Sequence, residues 1–157
     1  MLEVKPTQVT LVPDAEDAIT SNAGWDTLTH AAYLTEIVAE FKRHGIRTSL
    51  FVDPVEKKVE AAAKTGTDRV ELYTEGYARE YARGNKDGIL PYVAAAKVAQ
   101  SVGLGLNAGH DLSLDNLKYF KEQIPGLLEV SIGHALISEA LYLGLQNVVS
   151  MYLYRLK

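Results

Sequence analysis

Short apolar runs alternate with longer helical segments along the whole chain, and this alternation restricts the fold more than any other feature. The short runs are Gln8–Val12, Arg47–Val52, Arg69–Tyr73, Leu104–Asn107 and Leu128–Ile132. They are rich in Val, Leu and Ile and read as strands. The longer segments carry a helical period. In His30–His44 the residues Ala31, Leu34, Ile37, Val38 and Phe41 share one stripe, and Gly45 follows as a C-terminal stop. Val55–Lys64 stops at Gly66, and Leu90–Val102 stops at Gly103. Ser113–Gln123 opens on a capping serine and has Pro125 beyond its end. A last helix is expected over Ala135–Leu156.

Strictly alternating strands and helices predict an α/β fold with a parallel sheet and right-handed crossovers. About five strand–helix units fill residues 1–157 as a single domain. They suit either an open doubly wound sheet or part of a parallel, TIM-like β/α barrel, because eight strands are needed to close one. Sequential strand order would mean the barrel, and a reversal in the middle the open sheet. Both folds place ligands at the C-terminal ends of the strands. Two irregular stretches follow strands directly, Pro13–Thr29 and Tyr77–Gly88. Long loops of this kind are often functional.

Composition narrows the function. The net charge of −4 and the lack of a Lys/Arg-rich run argue against nucleic acid or an anionic membrane as partner. The chain has no cysteine, which excludes disulfides and thiolate metal sites and fits a cytoplasmic protein. The N-terminus lacks an apolar signal core, and no run is long enough to span a bilayer.

Polar groups at strand ends carry the chemistry. Glu71 sits between Val70 and Leu72. If those two face the outer helices, Glu71 and Tyr73 point to the other side. A carboxylate there is either a rim ion pair or an acid, base or electrostatic group in a site. Asn107-Ala108-Gly109-His110-Asp111 puts His110 at a strand end, and Ser131-Ile132-Gly133-His134-Ala135 repeats the arrangement one strand later. His134 opens a helix whose free N–H groups favour an anion. Two histidines and one carboxylate could bind zinc, but no close-spaced ligand motif is present, so no metal is expected. Thr20-Ser21-Asn22-Ala23-Gly24 offers hydroxyl and amide donors, either to a ligand or to solvent. His30 and His44 read as structural or solvated, and Asp53 reads as a helix cap. Tyr73, Tyr77 and Tyr81 read as packing first and ligand contacts second.

The segments LVPDAEDAITSNAGWD, GIRTSLFVDP, GTDRVELYTEGYA, GLGLNAGHDLSLDNL and EVSIGHALISEALYLGL, in that order, resemble the pyridoxine 5′-phosphate synthase family over nearly the whole chain. The resemblance implies a β/α barrel with extra helices. It implies condensation of 3-amino-2-oxopropyl phosphate with 1-deoxy-D-xylulose 5-phosphate, giving pyridoxine 5′-phosphate, inorganic phosphate and water without metal or organic cofactor. It also implies a homo-oligomer. Under it, His110 is a proton donor, Glu71 stabilises the transition state, and Thr20 binds the deoxyxylulose phosphate. Asp111, Gly133 and His134 bind the amino-ketone phosphate. Some members have glycine at the Asp111 position, which favours a backbone contact there. The resemblance begins at the family's fourth strand. The first three strands are absent, and with them a substrate-binding arginine and the His and Glu general bases. The isolated chain is therefore expected to be self-associated or rearranged, and inactive or nearly so. The alternative is a non-catalytic phosphometabolite-binding module, or a half-barrel fragment that assembles with other chains.

Overall fold

A computed structural model describes residues 1–15 and 17–157. Five strands, β1 (Gln8–Leu11), β2 (Arg47–Val52), β3 (Arg69–Tyr73), β4 (Gly105–Gly109) and β5 (Leu127–Ser131), form one sheet. Between and after them come α1 (Ala31–Arg43), α2 (Glu56–Lys64), α3 (Glu75–Ala82), α4 (Leu90–Ser101), α5 (Leu117–Gln123), α6 (His134–Leu143) and α7 (Leu145–Arg155). Every neighbouring pair of strands is parallel, and the order is β1-β2-β3-β4-β5 without a reversal. This order selects the barrel arc over the doubly wound sheet.

The sheet is strongly curved. Gln8 on the first strand reaches Glu129 on the last, Nε2 to Oε2 at 3.4 Å. The pleat then sorts side chains between two faces. Leu50, Val52, Val70, Leu72, Leu106 and Ala108 point outward and are buried against Leu34 and Val38 of α1, Val59 and Ala62 of α2, and Ala95, Ala96 and Ala99 of α4. Each buried Leu or Val contributes about 1.5–3 kcal/mol. The concave face is polar. Glu129 lies 3.0 Å from Arg47 and 2.8 Å from Arg69, and Asn107 donates to it at 3.3 Å. A bulge between Leu106 and Asn107 leaves Leu128 without a register partner and brings Glu129 opposite Asn107.

Three expectations about helices need correction. Tyr77–Gly88 is not irregular: it contains most of α3 and a 3₁₀ turn over Lys86–Ile89. Tyr77 is fully buried against Phe120 and Tyr92, and that packing holds the segment helical. The last helix is two, because Gly144 takes φ 82° and breaks it between α6 and α7. The fifth helix begins at Leu117, since Ser113 and Asn116 close a turn in which Ser113 N–H donates to Asn116 Oδ1 at 2.9 Å.

Asp53 does not cap a helix. It accepts from Gly24 N–H at 3.0 Å and pairs with Lys58 at 2.5 Å, so it anchors the loop after β1. Trp25 adds two anchors, N–H to Phe51 O at 2.8 Å and Nε1 to Leu11 O at 3.1 Å. A Cβ on Gly24 would lie 2.3 Å from Asp53 N and 2.4 Å from the Val52 carbonyl carbon. These atoms are backbone of the Val52–Asp53 peptide at the end of β2, which cannot swing aside as a flexible side chain can. Gly24→Ala is expected to destabilise the fold by about 1–3 kcal/mol, read as a lower urea midpoint. An unchanged midpoint would show that the loop does not seat as described. His30 packs its ring edge on Trp25 and His44 lies beside Glu40, and both residues are exposed.

Candidate active site

The C-terminal ends of β4 and β5 and the loop after β1 converge on one open cavity of about 510 Å³. Thr20, His110, Asp111, Ser131, Gly133 and His134 line it, with Leu112, Ile132 and Ala135. Five of the six residues singled out in the sequence therefore meet on one cavity. The sixth, Glu71, lies just beneath it.

His110 follows β4 directly. Its Nε2 is 3.0 Å from Thr20 Oγ1, which ties the loop after β1 to the strand end of β4. Its Nδ1 lies 3.2 Å from Asp111 Oδ2 but makes no hydrogen bond among the described residues. Tyr73 sets its ring at 83° to the imidazole with centroids 4.8 Å apart. The tyrosine is thus a neighbour of the site as well as a packing residue. His110 and Asp111 both adopt left-handed backbone, φ 87° and 58°. That conformation is costly for residues with a side chain, about 1–3 kcal/mol each, and persists only where the surroundings impose it.

Glu71 is 6% exposed. Thr10 donates to its Oε2 at 3.1 Å, and Ser131 lies beside the carboxylate. Burial pushes the Glu71 carboxyl above the ordinary carboxylate value. The Ser131 and Thr10 hydroxyls oppose that shift, and the Glu129 charge adds to it. Gly109 makes room for this group: a Cβ there would lie 2.3 Å from Glu71 Oε1 and 3.0 Å from Ser131 Cβ.

Gly133 and His134 open α6, where the first-turn N–H groups have no helical partner. His134 and Thr20 are exposed toward solvent. The cavity therefore joins anion-favouring backbone, two imidazoles and a hydroxyl, with the buried Glu71 carboxyl one layer below. Such a set can hold a phosphate and move protons at an adjacent carbon or oxygen. Ser131, Thr74 and Asn116 also shape the site and were not singled out by sequence. Ser131 could have been found, since it stands two residues before Gly133 on the same strand end.

The family model described as "Pyridoxal phosphate biosynthesis protein PdxJ" matches residues 1–157. The pyridoxine 5′-phosphate synthase of Flavobacterium johnsoniae is 69% identical over 157 residues, covering 100% of this chain and 66% of that protein. The protein of the same name from Christiangramia forsetii is 64% identical over 157 residues, again 100% of this chain and 66% of the relative. That from Cytophaga hutchinsonii is 62% identical over 154 residues, 98% of this chain and 65% of the relative. The chain thus spans 65–66% of the length of these relatives.

Proposed function

We infer that this chain, which belongs to the PdxJ family of pyridoxal phosphate biosynthesis proteins, supplies the phosphate-holding and proton-donating part of a pyridoxine 5′-phosphate synthase active site. The substrates on this reading are 3-amino-2-oxopropyl phosphate and 1-deoxy-D-xylulose 5-phosphate. Inorganic phosphate and water leave with the product, and the reaction takes place in the cytoplasm. One observation carries the reading: a single cavity joins Thr20, His110, Gly133 and His134 from three different strand ends.

The chemistry follows from the groups. Imine formation, enolisation, loss of phosphate and ring closure each move protons, so acids and bases must converge. A proton on His110 Nδ1 faces the Asp111 carboxylate. Nε2, beside Thr20, is then the nitrogen that exchanges a proton with a bound substrate. The first turn of α6 and His134 hold one phosphate, with Asp111 contributing through its backbone. Thr20 reaches the other phosphate from the loop after β1. Glu71 stabilises positive charge developing in an imine-like intermediate, and its buried setting strengthens that interaction. The chain spans 65–66% of the length of its curated relatives. Turnover on this reading belongs to the completed barrel, and anion binding to this chain.

Inorganic phosphate titrated into the 157-residue chain is expected to shift the side-chain NMR resonances of His110 and His134 together. His134→Ala should weaken that binding about tenfold, since a charge-assisted hydrogen bond contributes roughly 1.5–3 kcal/mol. Phosphate that leaves both histidines unmoved would sink the assignment.

A further inference from the structure

Thr74 occupies the N-cap position of α3 but does not cap it. A threonine there ordinarily accepts from an N–H of its own helix. Its hydroxyl instead turns to the loop after β4, donating to Gly109 O at 2.7 Å and, in a closer contact, to His110 O. One hydroxyl proton is shared between the two carbonyls. Thr74 N–H adds a bond to Gly109 O at 2.9 Å. On the far side Asn116 Nδ2 donates to Asp111 O at 3.0 Å, so three successive carbonyls are held. These are the residues around the left-handed backbone of His110 and Asp111. Thr74 is wholly buried and does not line the cavity.

We propose that Thr74 is a positioning residue: its hydroxyl holds the Gly109 and His110 carbonyls in the left-handed turn that delivers the His110 imidazole to the cavity. The proposal rests on His110 as the proton donor of the site. The residue before Thr74 serves the same end, because Tyr73 flanks the imidazole. The end of β3 therefore sets both the backbone and the ring of a residue just after β4, more than thirty positions away. A merely structural threonine would owe its importance to filling space, which valine does equally well.

The test compares Thr74→Val, isosteric but without the hydroxyl, with Thr74→Ser, which keeps it, both in the 157-residue chain. Thr74→Val is expected to move the His110 ring-proton resonances out of the shielding of Tyr73, leave those of His134 near their native positions, and weaken inorganic phosphate binding about tenfold. Thr74→Ser should restore the His110 resonances and the affinity. A folded Thr74→Val chain with native His110 resonances and native phosphate affinity overturns the proposal, and so does a serine variant that restores neither. Should Thr74→Val fail to fold, His110→Gly in the native background decides. Glycine takes φ > 0 freely, so an imposed turn predicts a higher urea midpoint, and an equal or lower one counts against it. If the native chain binds no phosphate, the functional reading fails on its own. The ligand-free His110 resonances of the valine and serine variants still decide the role of Thr74.

Discussion

Glu71→Gln is expected to cut turnover about 10²- to 10⁴-fold, the range for losing one positioned charge or acid–base group, without loss of stability. The activity arm is read in a full-length relative such as the Flavobacterium johnsoniae synthase, at the glutamate that matches Glu71. The stability arm is read in this chain. Burial raises the Glu71 pKa above its ordinary value. The folded chain therefore keeps this proton to higher pH than the unfolded chain does. Between the two values the folded state binds more protons, and its stability falls as pH rises. The contribution is full below the ordinary carboxylate value and is lost above the raised one. Once ionised, the carboxylate carries a desolvation cost, partly offset by the Thr10 and Ser131 hydroxyls. Glutamine keeps the shape and the hydrogen bonds and has no charge to desolvate. The variant should be at least as stable as the parent at pH 7, with a flatter stability curve from acid to neutral. Urea midpoints at several pH values check this. Unchanged steady-state turnover would remove Glu71 from the mechanism, and a variant much less stable at pH 7 would make the carboxylate a structural ion partner.

The residues of this site differ in how visible they are from sequence, and the reason is physical. Glu71, His110 and His134 stand out because a polar group inside or just after an apolar strand has no structural purpose that composition suggests. The alternation implied a parallel sheet but left its strand order open between a barrel arc and a doubly wound sheet, which the order β1-β2-β3-β4-β5 decides. Thr74 and Asn116 stay hidden, because each looks like an ordinary turn or cap residue. Their partners are carbonyls of residues 109–111, and only the folded chain brings them together. The helix after β3 was missed for a tertiary reason. Gly76, Gly84 and Gly88 make the segment after β3 look like loop, whereas Tyr77 wedged among Phe120 and Tyr92 holds it as helix. Local propensity is a weak signal beside such tertiary burial.

The open arc carries the second large expected effect, self-association of the isolated 157-residue chain. A closed barrel has no sheet edge, whereas β1 and β5 each have a single strand neighbour among the described residues. Beside the β5 edge runs an apolar groove lined by Leu128, Val130, Ile132, Leu136, Val149 and Leu153. Further along α6, Leu141 and Tyr142 are 81% and 89% exposed. An unpaired edge flanked by apolar surface pairs with whatever strand is available, and in a pure sample that is a second copy. We propose that the chain alone forms such homo-oligomers, through these edge and groove contacts. Size-exclusion chromatography with light scattering should then give a mass above 17.2 kDa that rises with concentration. A charged pair of substitutions in the groove, Leu128→Lys with Leu153→Glu, should weaken association by more than about 100-fold, since each buried Leu contributes roughly 1.5–3 kcal/mol. Neither substitution touches the cavity, so phosphate binding should survive in the resulting monomer. A native chain that runs as a monomer at every concentration would show that the edges are protected by rearrangement of α6 and α7 over the groove, and the expected association would be wrong.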